Sequence, residues 1–181
     1  MEGTPISQPA AASDTASARV HDPIHRVSYS FEREGENLWV HTWLQDGGHL
    51  PEHFHPSLEE HWEVIEGAVR VKLAGAWRDL TAEDGPLLVA RKAKHELKNE
   101  SGREAQLRTE VLPAGGLEEF LTETARAARE GLYNERNLPR SFRGAVWAAE
   151  LAQRYRSETV MCSPPPAVQQ IFLPLLARFA R

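Results

Sequence analysis

The sequence predicts a mainly β domain, built as a sandwich or barrel, followed by α-helices. From Val27 to Pro113, short apolar runs alternate with turn signals and no helical period intervenes. After Pro113-Ala114-Gly115-Gly116, apolar residues instead recur at a spacing of about 3.6 residues. Length sets the scale. A chain of 181 residues, 41% hydrophobic and 26% charged, has enough apolar surface for one core without disulfides or a structural metal.

The elements follow in order. Residues 1–22 are rich in Ala, Ser, Thr and Pro and too poor in apolar side chains to pack, so they read as a mobile leader. The β domain is expected over residues 23–113. Leu38-Trp39-Val40-His41-Thr42-Trp43-Leu44 is a β-branched and aromatic run closed by Asp46-Gly47-Gly48. His61-Trp62-Glu63-Val64-Ile65 ends at Gly67, and Val69, Val71 and Leu73 alternate with Arg70 and Lys72 until Gly75. Leu87-Leu88-Val89 and the run from Gln106 to Leu112 complete the series. The helical appendage is expected over residues 114–181. Leu117, Phe120, Leu121, Ala125, Ala128 and Leu132 share one helix face, and Trp147, Leu151 and Tyr155 stack along residues 144–157. Val168, Ile171, Phe172, Leu175, Leu176 and Phe179 form a last stripe, entered through Pro164-Pro165-Pro166 and expected to bend at Pro174. Such stripes are expected to pack on the barrel or on a second subunit.

Charge and composition narrow the function. The net charge of −5 argues against a nucleic-acid partner, as does the lack of a helix-turn-helix signal. No apolar run is long enough to span a membrane, and residues 1–20 lack the apolar stretch of a secretory signal. The single cysteine, Cys162, fits a reducing, cytoplasmic setting and rules out a cysteine-based metal cluster. All eight histidines precede residue 96, four of them between 49 and 61, so the chemistry is expected in the first half.

On a strand, alternation makes His53 and His55 point the same way, one pleat apart. Glu60 follows after a turn holding Pro56 and Ser57, and His95 arrives on a later strand. If these strands close into a small barrel, His53, His55, His95 and Glu60 meet inside it. Three imidazoles and one carboxylate suit one divalent transition metal per chain, with Fe, Mn, Ni, Zn, Co and Cu all compatible. Trp62 shares the face of Glu60 and is expected to form a cavity wall, whereas Glu59 and His61 fall on the opposite face. Arg91, Lys92, Lys94 and Lys98 surround His95; a cationic mouth there would favour an acidic or enolic ligand.

The spacing resembles that of the cupin superfamily. Gly47, His53, His55, Glu60 and Gly67 match the first cupin motif at every interval, and His95 with Asn99 matches the end of the second. The interval to Gly67 selects Glu60 over Glu59. The second motif departs from the family at Ala90 and Lys92, where Pro and Gly are usual, and Asp84 replaces its opening glycine, with Gly85 one residue away. These positions shape a turn and do not ligate.

The resemblance covers residues 26–113 and implies a cupin-type jelly-roll β-barrel. It also implies a metal site acting on a small organic molecule, with Glu60 as charge balance and proton acceptor. An oxygenase is expected if a redox metal is bound. A Lewis-acid isomerase or decarboxylase, or a protein that binds or senses a small molecule without turning it over, is the alternative. Cupins commonly pair through their sheets, so a homodimer is expected.

Overall fold

A computed structural model describes residues 19–180, so residues 1–18 of the expected leader lie outside the described residues. Residues 20–22 within that expected segment are a strand. β1 (Val20–Asp22) pairs antiparallel with β2 (Val27–Glu34), which pairs with β3 (Asn37–Leu44). The chain continues through β4 (His49–Phe54), β5 (Glu59–Glu66), β6 (Ala68–Leu73), β7 (Ala76–Thr81), β8 (Leu87–Val89), β9 (His95–Lys98) and β10 (Ala105–Leu112). Three helices follow: α1 (Leu117–Arg129), α2 (Phe142–Arg154) and α3 (Pro166–Ala177), with the two-residue β11 (Val160–Met161) between the last two.

Two antiparallel sheets enclose one core. The first has the order β1-β2-β3-β10-β5-β8, the second β11-β4-β9-β6-β7. Period-two patterning explains the inner faces. Leu38, Val40, Thr42 and Leu44 of β3 are buried while Trp39, His41 and Trp43 between them are half-exposed, so His41 faces away from the interior. Ala105, Leu107, Thr109 and Val111 line β10 in the same way. Burying each Leu or Val stabilises by roughly 1.5–3 kcal/mol, and the second sheet supplies Val69, Val71 and Leu97 to the same core. Among the strands for which the sequence offered no run, β7 is mostly exposed and reads AWRDLT, which has no alternation to detect.

The helices lie within a few residues of expectation. Ser141 caps α2 by accepting from the Gly144 amide, and Glu118 and Glu119 in the first turn of α1 complement its dipole. Leu117 joins the barrel core, with Phe120 and Leu121 packed against it. The stripe of α3 differs. This helix packs along α2 rather than on the barrel, and none of its residues is buried. Ile171, Phe172, Leu175 and Phe179 are 49–67% exposed, although Phe179 meets Phe142 at 5.7 Å between ring centroids.

The turn before His95 takes a left-handed residue without using glycine. Lys92, where the cupin motif has glycine, takes the left-handed conformation at φ 64°, and its amide donates to the His55 carbonyl at 2.8 Å. A side chain in that conformation costs about 1–2 kcal/mol. Replacing Lys92 by Gly removes the strain but loosens the unfolded chain, so a net gain of about 0.5–1 kcal/mol is expected in denaturant unfolding. A fall in the unfolding midpoint would contradict this account.

Candidate metal centre

Both sheets contribute to one buried cluster. β4 and β9 are hydrogen-bonded neighbours with His53 opposite His95, and His55 follows one residue beyond the end of β4. Glu60 and Trp62 come from the inner face of β5 in the other sheet. Gly67 ends that strand at φ 81°, with its α-carbon so close to Ala105 that a Cβ would lie 3.1 Å from the Ala105 Cα. A side chain there would be strained in φ and would press on Ala105, and glycine avoids both.

The imidazoles form a tight triad. Ring centroids are 4.2 Å apart for His53 and His95, and 5.0 Å for each pair involving His55. One nitrogen from each lies within 4.8 Å of the others, a set able to hold a metal ion. Each Nδ1 is tied to a main-chain carbonyl: His53 to Pro51 at 2.7 Å, His55 to Glu158 at 2.6 Å and His95 to Ala93 at 2.9 Å. A carbonyl only accepts, so each Nδ1 carries the proton and each Nε2 turns a lone pair inward. His53 Nε2 and His95 Nε2 then stand 3.1 Å apart with no proton of their own to share. His55 Nε2 is buried with no hydrogen-bond partner. A cation between the nitrogens would satisfy all three, and the donor set fits a divalent transition metal.

Glu60 completes the polar surroundings. Its Oε2 lies 3.4 Å from His55 Nε2 and 3.5 Å from His95 Nε2, and accepts from Trp62 Nε1 at 3.0 Å. Burial works to raise its carboxyl, but the neighbouring imidazoles, His55 foremost, outweigh this and hold it at about 2. Burial drives His53 well below the ordinary imidazole value and lowers His95 as well, which keeps both in the neutral, ligating form. Burial also acts to lower His55, but Glu60 beside it prevails and raises it. Trp62 stands edge-on to His95 at 5.3 Å, and both Trp62 and Glu60 line a small cavity of about 70 Å³.

The remaining sequence candidates lie elsewhere. His61 is near Glu110 and Glu59 on the outer face, and His49 pairs with Glu96 at 2.8 Å. Arg91, Lys92 and Lys94 are exposed and, like Lys98, line neither cavity described here. The expected preference for an acidic ligand therefore loses its basis. Asn99 is fully buried, and its side-chain amide donates to the Leu44 and Arg103 carbonyls, a structural role.

Two features of the site, a chain segment and a groove, had no signal in the sequence pattern. The Glu158 carbonyl and the Thr159 hydroxyl, 3.4 Å from His55 Nδ1, come from the segment before β11, which pairs with β4 at His53 and Phe54. The second feature is a groove of about 1010 Å³ between the barrel mouth and the helices. His53, Tyr29, Leu50, Phe120, Leu121 and Thr159 line both it and the small cavity, so His53 is the member of the triad that faces the groove. Alternation with Val27 could have marked Tyr29 as inward.

The chain has a cupin fold, a double-sheet jelly roll with the histidine triad between its sheets. No family model and no curated protein matches the sequence. Among solved structures it is similar to KdgF from Halomonas sp., at 14% identity over 57% of this chain and 94% of that one, with a TM-score of 0.50. It is also similar to the cupin domain of Cnp3 from Schizosaccharomyces pombe, at 13% identity over 68% and 82% of the chains and a TM-score of 0.48. A cupin domain of an XRE family transcriptional regulator from Enterobacter cloacae gives 20% identity over 48% and 95%, with a TM-score of 0.42. Among the described residues, no helix is long and apolar enough to cross a membrane.

Trp62→Phe tests the hydrogen bond within the cluster. It keeps the ring packing but removes the donor to a buried carboxylate, so metal-free protein is expected to lose about 1.5–3 kcal/mol in denaturant unfolding. An unchanged midpoint would show that Glu60 does not depend on Trp62.

Proposed function

We propose that this chain is a cytoplasmic, metal-dependent cupin enzyme of the oxygenase type, with His53, His55, His95 and Glu60 holding one divalent transition metal. The inward convergence of three Nε2 lone pairs in a buried pocket supports this reading most directly. A redox-active divalent ion held by these residues would supply electron transfer to dioxygen. The residues of the chain supply the rest. The carbonyl-tied imidazoles keep their orientation without rearrangement, and Glu60 balances positive charge and accepts a proton from the substrate when it swings free of the imidazoles that hold its carboxyl low. Trp62, Leu50 and Leu97 keep water from the reacting centre, and the groove beside His53 admits the substrate. Its mostly apolar walls suit a largely apolar organic molecule.

Purified protein is expected to hold about one divalent metal per chain, and the His53→Ala plus His55→Ala double variant to lose most of it. Full occupancy in the double variant would overturn the ligand assignment.

Protein loaded anaerobically with iron is expected to take up oxygen in the presence of a phenolic or β-diketone substrate. His95→Ala abolishes the uptake, and Glu60→Gln, which keeps an oxygen donor but loses charge, reduces it. Turnover of a substrate by zinc-loaded protein without oxygen would reassign the site to isomerisation or decarboxylation. Retention of a ligand without turnover would make this a binding protein.

The exposed apolar face of α3 supports assembly as a homodimer. Light scattering is expected to give twice the 20.3 kDa chain mass. A monomer at micromolar concentration would refute it.

A further inference from the structure

The groove has a second polar pole, away from the histidine triad. Asp22 ends β1 and is 2% exposed. Its Oδ1 accepts from the Ile24 and His25 amides at 2.9 and 3.1 Å, which shapes the turn into β2. Its Oδ2 accepts from His25 Nδ1 at 2.8 Å. The turn itself needs only Oδ1, so the second bond goes beyond what the turn geometry requires.

That second bond puts a proton of His25 on Nδ1, and in the neutral ring it leaves Nε2 as an acceptor. The turn is fixed on both sides, since the His25 carbonyl accepts from the His49 amide at 3.2 Å and the Arg26 carbonyl from the Gln45 amide at 3.0 Å. Asp22 and His25 line the groove together with Tyr29, which is 4% exposed. His49 precedes His53 by four residues along β4, roughly 13 Å at the usual strand rise, so the dyad and the triad face the groove from separate places. Apart from Asp22, His25 and His53, Arg156 is the one other charged or imidazole side chain among the residues lining this groove.

We propose that His25, oriented by Asp22, is a specificity-determining residue that accepts a hydrogen bond from a hydroxyl group on an otherwise apolar ligand. This rests on the reading of the groove as the ligand's approach to the triad. The ligand class is an aromatic or aliphatic alcohol whose ring or chain fills the apolar groove. An ether of the same shape offers no proton to His25 Nε2, so it forgoes one net hydrogen bond and binds less tightly.

Equilibrium dialysis of the full chain, stripped of metal by a chelator, against 2-naphthol and 2-methoxynaphthalene tests the proposal. The two probes share their rings and differ in the donor. Wild-type protein is expected to bind the naphthol about ten-fold more tightly, the size of one net hydrogen bond. In His25→Phe the preference disappears while the ether binds as before, and His25→Gln, which keeps an acceptor, retains part of the preference. The proposal is overturned if wild type shows no preference, if His25→Phe keeps it, or if wild type binds neither probe at millimolar concentration. Loss of ether binding in His25→Phe marks a folding defect, and His25→Gln then decides: no preference in that variant also overturns the proposal. Because the measurement is made without metal, its failure leaves the ligand assignment at the triad intact, and failure of that assignment leaves this result standing.

Discussion

The fold is organised around one electrostatic constraint: three imidazole lone pairs turned toward a single buried point. Left to themselves, His53 Nε2 and His95 Nε2 at 3.1 Å would repel, and His55 Nε2 would remain unsatisfied. The barrel imposes the arrangement because each ring is tied behind by a main-chain carbonyl and cannot turn away. Glu60 supplies the compensating charge from the opposite sheet, held by the Trp62 indole. Bringing these side chains together requires both sheets, so a shift of β5 against β4 and β9 would break the cluster before it exposed much of the core.

How much of this was legible in the sequence depends on the kind of contact. The four residues of the cluster could be read because strand alternation and fixed intervals are properties of side-chain identity along the chain. The structure does bring His53, His55, His95 and Glu60 together, although the mutually close set is the three histidines, with Glu60 beside two of them. The Glu158 carbonyl could not be read, since a backbone acceptor is the same for every residue and its partner lies 103 positions away. Nor could the groove, whose walls come from β1, β2, β4 and all three helices.

The helices show a different limit. A periodic apolar stripe reveals that one face avoids water, not what covers it. On α1 the stripe meets the barrel, whereas on α3 it lies along α2 with its outer residues uncovered. Lys92 is a related case. The residue type argued against a left-handed turn, yet the backbone adopts one because the His55 carbonyl and the following strand demand it. Tertiary context prevails there over local preference.

The hydrogen bond from His55 to the Glu158 carbonyl joins the last third of the chain to the centre of the barrel. Anything that pulls residues 158–161 off the edge of β4 removes the brace behind one imidazole. Linkage makes the effect reciprocal: occupancy of the triad and docking of this segment share a coupling free energy. Ligation at His55 would protect the segment from proteases and slow its amide exchange. A cut in the chain before β11 would in turn be felt at the triad as faster ion release, though none of the four residues proposed to hold the ion had been touched.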